Sequence, residues 1–266
     1  MEKLYFGTNL KMYKNIRETT AYLDELTERT KDLGRKEMEL FVIPSYTSLP
    51  DAVKIKNRAL VQLGAQNMGW EEQGQFTGEI SPLMLTELGL DLVMVGHSER
   101  RHVFRETDYE ENRKVLCALQ HGLAALLCVG ETAEEKDYGI ADEVLRRQLI
   151  AGFHGISKDR AKALTDGACP KLRVAYEPVW AIGVHGKPAS VAYAQEKHRV
   201  IKECLAEIFG AAGAKVPVLY GGSVNPDNAE ALIAQPAVDG LFVGRSAWQA
   251  EVFDKLIRAA IESARQ

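Results

Sequence analysis

Eight short apolar runs, each followed by an amphipathic stretch, recur along this chain and limit the folds open to it. They fall at residues 4–6, 40–43, 60–63, 92–95, 124–129, 172–176, 216–219 and 241–243. The runs are continuous rather than alternating, which suits strands buried on both faces. Residues 20–30, 107–120, 134–149, 192–208, 228–233 and 251–264 carry apolar side chains at helical spacing between them. Eight strand–helix units in 266 residues predict an α/β chain closed into a (β/α)8 barrel, a single domain spanning residues 1–266. An open doubly wound sheet is the other arrangement these units allow. No linker or compositional break divides the chain.

In such a barrel the chemistry sits at the C-terminal ends of the strands. Thr8-Asn9-Leu10-Lys11 follows the first run, Gly96-His97-Ser98-Glu99-Arg100-Arg101 the fourth and Cys128-Val129-Gly130-Glu131 closes the fifth. Glu177 follows the sixth, Tyr220-Gly221-Gly222-Ser223 the seventh and Gly244-Arg245-Ser246 the eighth. A lysine, a histidine, a carboxylate and glycine-bearing turns therefore converge on one rim.

Each residue has a plain reading and a chemical one. Glu177 precedes Pro178, which cannot continue a ladder, and then an apolar tip at residues 179–182. Either it is an exposed glutamate before a turn, or it is a base beneath a lid. Lys11 is either a solvated charge or a fixed cation for an anionic substrate or a developing oxyanion, with Asn9 orienting it. His97 is either structural or a neutral imidazole that donates to a carbonyl, since a helix opening near Ser98 disfavours added positive charge. Glu99 belongs beside the substrate, and Arg100 and Arg101 in a rim salt-bridge network. The Gly221-Gly222-Ser223 and Gly244 turns suit an anion cradle, because glycine lets backbone amides approach a phosphate. A P-loop is excluded: Gly186-Lys187 is followed by Pro188, and five residues before Gly186 stands Ala181.

Charge and cysteine usage narrow the class. The net charge is -4 with both signs interspersed and no basic tract, which argues against nucleic acid. No apolar run reaches the ~18 residues of a membrane span, and the N-terminus lacks a signal-peptide pattern. The four cysteines show no paired close spacing and fit reduced thiols in a cytoplasmic protein better than disulfides or a metal site.

With these residues assembled, the chain resembles the triosephosphate isomerase family over essentially its whole length. The motifs that carry the resemblance are Asn9-x-Lys11-Met12, Phe76-Thr77-Gly78-Glu79-Ile80-Ser81, Val95-Gly96-His97-Ser98-Glu99-Arg100-Arg101, Cys128-Val129-Gly130-Glu131, Ala175-Tyr176-Glu177-Pro178-Val179-Trp180-Ala181-Ile182-Gly183 and Tyr220-Gly221-Gly222-Ser223-Val224. The resemblance implies a TIM barrel in which Glu177 removes the proton beside a carbonyl while Lys11 and His97 polarise that carbonyl, a pairing for which this family is a standard example. It implies a lid made of Pro178, Val179, Trp180, Ala181, Ile182, Val184, His185, Gly186, Lys187, Pro188 and Ala189 that closes over the substrate. Phosphate would be held by the amides of Gly183, Ser223, Gly244 and Arg245. Thr77 would reach a second subunit's site, which makes a homodimer or larger. Neither a metal ion nor an organic cofactor is implied.

Four positions depart from the family pattern. Leu10 stands where the family usually has Trp, and Tyr13 where it has Asn. The lid, Ile182-Gly183-Val184-His185-Gly186-Lys187-Pro188, is one residue longer and places a proline in the closing hinge. The last turn reads Gly244-Arg245-Ser246 where the family usually has a Gly-Gly pair. Arg245 either turns outward to a carboxylate or reshapes the phosphate end of the site. The longer lid and the Gly-Arg-Ser turn resemble a branch of the family that interconverts L-erythrulose 1-phosphate and D-erythrulose 4-phosphate. The alternatives are triosephosphate isomerase proper, acting on dihydroxyacetone phosphate and glyceraldehyde 3-phosphate, and a non-catalytic sugar-phosphate-binding barrel. A Schiff-base aldolase is disfavoured by Lys11's place in a matched motif.

Overall fold

In this computed structural model, which describes residues 3–183 and 186–265, eight parallel strands close into one barrel in sequence order. They are β1 (Leu4–Asn9), β2 (Met38–Ile43), β3 (Gln62–Ala65), β4 (Leu92–Val95), β5 (Ala124–Val129), β6 (Leu172–Tyr176), β7 (Val218–Tyr220) and β8 (Gly240–Val243). β1 pairs with both β2 and β8, which leaves no edge and rules out the open sheet.

Alternation along the strands sorts the side chains into two cores. Tyr5, Phe41, Ile43, Leu92, Met94, Leu126, Ala175, Leu219 and Phe242 make one buried cluster, the barrel interior. Gly7 gives it room: a Cβ there would lie 2.0 Å from the Phe41 ring. Residues of the other parity, such as Val42, Val93, Val95, Leu127 and Val174, pack with Leu23, Leu26, Leu145, Ile201, Phe253 and Ile257 of the surrounding helices. Residues 173 and 39 share the interior parity, but here a buried Arg173–Glu39 ion pair replaces apolar packing at the N-terminal end of the barrel. Lys3 reaches Glu39 at 3.0 Å and the Arg173 Nε–H donates to the Pro170 carbonyl at 3.0 Å.

Helix starts follow local chemistry. Asn15 with Glu18 and Thr107 with Glu110 form reciprocal caps on helices Ile16–Arg29 and Asp108–Gln120. The Ser190 hydroxyl takes the Tyr193 N–H at 3.2 Å and starts helix Val191–Phe209 just past the expected lid.

Several expected elements differ in their bounds. The strand expected at residues 60–63 lies two residues later, because Arg58–Leu60 forms a single 3-10 turn closed by the Val61 N–H on the Arg58 carbonyl. The seventh strand begins at Val218, since Pro217 has no N–H to donate. The helix expected over residues 134–149 is two, Ala133–Asp137 and Ala141–Gly152, broken where Gly139 takes φ 74°. Helix Lys158–Thr165 fills the connection to β6. No helix among the described residues is long and apolar enough to cross a membrane.

Candidate active site

Glu177 is the first residue beyond β6. Its N–H still follows the ladder, donating to the Val129 carbonyl at 2.7 Å, and its side chain is only 3% exposed. Gly130 makes that approach possible: a Cβ there would stand 1.9 Å from the Glu177 carbonyl oxygen. One carboxylate oxygen accepts the Ser98 N–H at 3.0 Å, and the other lies 3.4 Å from His97 Nε2. Burial, and then the Glu177 charge, push the buried Cys128 thiol well above its ordinary value. Glu177 is therefore held on the first turn of helix Ser98–His102.

His97 caps that same helix. Its Nδ1 accepts the Glu99 N–H at 3.1 Å and so carries no proton. A neutral ring then bears its proton on Nε2, the nitrogen that faces Glu177.

Lys11 adopts φ 50°, the left-handed region that few L residues occupy. Its N–H donates to Asn9 Oδ1 at 2.8 Å, and its carbonyl accepts Gln66 Nε2 at 2.7 Å. The same Gln66 nitrogen lies 3.2 Å from Asn9 Oδ1. Lys11 Nζ pairs with Glu99 Oε1 at 2.7 Å. Burial works to raise the Glu99 carboxyl, but the hydrogen bond and charge of Lys11 prevail and hold it below its ordinary value. Asn9, Lys11, His97, Glu99 and Glu177 thus stand as one bonded chain around the mouth. Gln66, which belongs to it, escaped the sequence reading because the misplaced third strand put its end two residues too early.

Arg100 and Arg101 form the expected rim network. Arg100 Nε bonds Glu106 at 2.9 Å; Arg101 pairs with Asp108 at 2.6 Å and with buried Glu111, and donates to the Gly96 and Cys128 carbonyls.

Of the lid segment, Val179–Ala181 forms a single 3-10 turn with Ala181 fully buried. The Trp180 indole donates to Glu131 Oε1 at 2.8 Å, as do the Tyr193 and Tyr176 hydroxyls at 2.9 and 3.1 Å. Glu131 is thus the shared acceptor that ties this turn to β6 and to helix Val191–Phe209. Gly183 is exposed at the tip with φ 91°, and Lys187 and Pro188 are exposed before buried Ala189. Val184 and His185, also expected in the lid, lie outside the described residues.

The phosphate candidates line the turns after β7 and β8. The N–H groups of Ser223, Gly244 and Arg245 donate to no other protein group among the described residues. A Cβ at Gly244 would meet nothing within 4 Å. Backbone N–H groups left without protein partners at strand-end turns are suited to an anion.

The model for triosephosphate isomerase matches residues 4–260. The chain belongs to the triosephosphate isomerase family. The crystal structure of triosephosphate isomerase from Bartonella henselae superposes with a TM-score of 0.83 at 32% identity, covering 97% of this chain and 98% of that one. Relatives named L-erythrulose-1-phosphate isomerase match more strongly in sequence. The Rhizobium etli protein is 48% identical over 93% of this chain and 89% of its own length. The Rhizobium meliloti protein is 47% identical over 92% of each. One from Brucella abortus is 43% identical over 98% of each.

Within this family member the Gly244-Arg245-Ser246 turn keeps its backbone role available. Arg245 is exposed, and its guanidinium makes no ion pair or hydrogen bond among the described residues. No carboxylate pairs with that guanidinium among the described residues.

Proposed function

We propose that this chain is a sugar-phosphate isomerase that interconverts L-erythrulose 1-phosphate and D-erythrulose 4-phosphate through an enediolate. The observation that carries the substrate is the 43–48% identity, over nearly full length, to relatives bearing the L-erythrulose-1-phosphate isomerase name. The chemistry fits the site. Glu177 takes the proton from the hydroxyl-bearing carbon beside the ketone, the ketone oxygen becomes the enediolate oxygen and takes up the proton of the neighbouring hydroxyl, and Glu177 returns its proton to the former carbonyl carbon. Lys11 and the Nε2–H of His97 stabilise the oxygen charge, and Glu99 and Asn9 hold Lys11. The substrate's own carbonyl is the electron sink.

The substrate's shape bears on specificity. In the tetrulose and the triose alike, one methylene separates the phosphate from the reacting carbonyl. The extra hydroxymethyl of the tetrulose extends from the other end of the reacting pair. The amides of Gly183, Ser223, Gly244 and Arg245 can thus serve either substrate, and the longer lid over residues 178–189 is the element suited to admit the added carbon. A comparison of kcat/KM on L-erythrulose 1-phosphate and on dihydroxyacetone phosphate should favour the tetrulose by at least about tenfold, the order that one added group provides. A preference for the triose would return the chain to the glycolytic reaction. In the same assay Arg245→Gly should raise KM several-fold with kcat nearly unchanged, the pattern for a contact equal in ground and transition states. An unchanged KM would remove Arg245 from the site.

We also propose a homodimer working in a reducing compartment such as the cytoplasm, which four unpaired thiols suit. Met12 (94% exposed), Tyr13, Phe76, Val103 and Phe104 leave apolar surface on the loops after β1, β3 and β4, with Thr77 exposed beside Phe76. Sedimentation velocity at micromolar concentration should give a dimer's mass, and a monomer would count against Thr77 serving a second site.

A further inference from the structure

We propose that Trp248 is a positioning residue that holds Lys11 for catalysis through the Asn9 backbone; this rests on the reading of Lys11 as the cation that polarises the substrate. Lys11 sits in a backbone conformation that a lysine does not keep unaided. Asn9 Oδ1 and Gln66 fix its peptide on one side. That arrangement is only as firm as Asn9, the last residue of β1. The Asn9 carbonyl receives the Trp248 indole N–H at 3.0 Å.

Trp248 is itself rigidly placed. It ends the single 3-10 turn Arg245–Ala247, with its own N–H on the Arg245 carbonyl at 3.1 Å. The Tyr13 ring packs against the indole with centroids 4.3 Å apart, and the Tyr22 hydroxyl donates to the Ala247 carbonyl at 2.6 Å. The same turn opens at Gly244 and Arg245, whose amides are free for the substrate's phosphate. One bonded path, from Gly244 through Trp248 and Asn9 to Lys11, therefore links the two ends at which the substrate is gripped. It sets the distance between the phosphate cradle and the ammonium group. Small errors in that distance are expensive in rate.

The test is a double-mutant cycle of Trp248→Phe with Lys11→Ala, assayed on whichever of the two substrates the wild type prefers. Phenylalanine keeps an aromatic ring near Tyr13 and removes the N–H together with the rest of the pyrrole ring. Trp248→Phe should lower kcat about tenfold. The competitive inhibition constant of inorganic phosphate should stay within about twofold, because the amides at the other end of the turn are untouched. In the Lys11→Ala background the same change should alter the rate by less than about twofold, since the group it positions is gone. An unchanged kcat in Trp248→Phe overturns the inference, as does a loss just as large without Lys11. Near-normal activity of Lys11→Ala would overturn the reading of Lys11 and the inference with it. A crippled Lys11→Ala beside a normal Trp248→Phe sinks the inference alone. If Trp248→Phe proves too unstable to assay, Trp248→Tyr carries the same criteria.

Discussion

Glu177→Asp should lower kcat about a hundredfold while KM and thermal stability stay near those of the wild type, because removing one methylene withdraws the base by roughly 1 Å. The withdrawn carboxylate is poorly placed for two reasons. It no longer reaches the carbon beside the carbonyl, and it can no longer be exchanged cleanly between the Ser98 amide, at 3.0 Å here, and the substrate. Stability should be spared because the backbone that carries the residue is fixed independently, by the Glu177 N–H on the Val129 carbonyl at 2.7 Å and by the Gly221 N–H on the Tyr176 carbonyl at 2.7 Å. Steady-state kinetics and a thermal melt decide it. An undiminished kcat would remove Glu177 from the role of base. A wild type with no isomerase activity on either substrate would favour the non-catalytic sugar-phosphate binder.

Arg173→Met should destabilise the barrel by about 3 kcal/mol, the lower end of the cost of breaking a buried ion pair from one side. Arg173 is 1% exposed and Glu39 4%, so methionine would leave a carboxylate in the barrel interior without its main partner. Lys3, at 3.0 Å and nearer solvent, softens the loss and sets the expectation at the lower end. The double variant Arg173→Met with Glu39→Leu should recover most of the stability, since no charge then remains to be desolvated. Urea denaturation at one fixed protein concentration measures both, which matters if folding is coupled to dimerisation. A single variant within about 1 kcal/mol of wild type would mean that Lys3 alone satisfies Glu39. Activity of the folded variant should be normal, because the pair lies at the opposite end of the barrel from the mouth.

These two residues mark how far the sequence could be read. Glu177 was legible because strand-end residues in a barrel are set by counting along an apolar run. The same count placed Asn9, Lys11, His97, Ser223 and Gly244 on one rim. Arg173 was not singled out: it lies within an apolar run, and only closure of the sheet brings it to Glu39. Boundaries failed where a local hydrogen bond outweighed apolar pattern. Val61 closes a turn on Arg58 and delays β3; Pro217 delays β7; Gly139 breaks a helix that periodicity alone would continue.

The sequence by itself determined the barrel and the family, because continuous apolar runs and strand-end motifs are local and survive in one dimension. The tertiary structure alone decided how those groups are held. Glu177 rests on the Ser98 amide, 79 residues away in the chain; Gln66 clamps Asn9 across 57; Trp248 reaches the Asn9 carbonyl across 239. Such contacts leave no spacing to read. They exist because a closed barrel brings its last strand beside its first, so a side chain from the final turn can fix the backbone that presents the lysine.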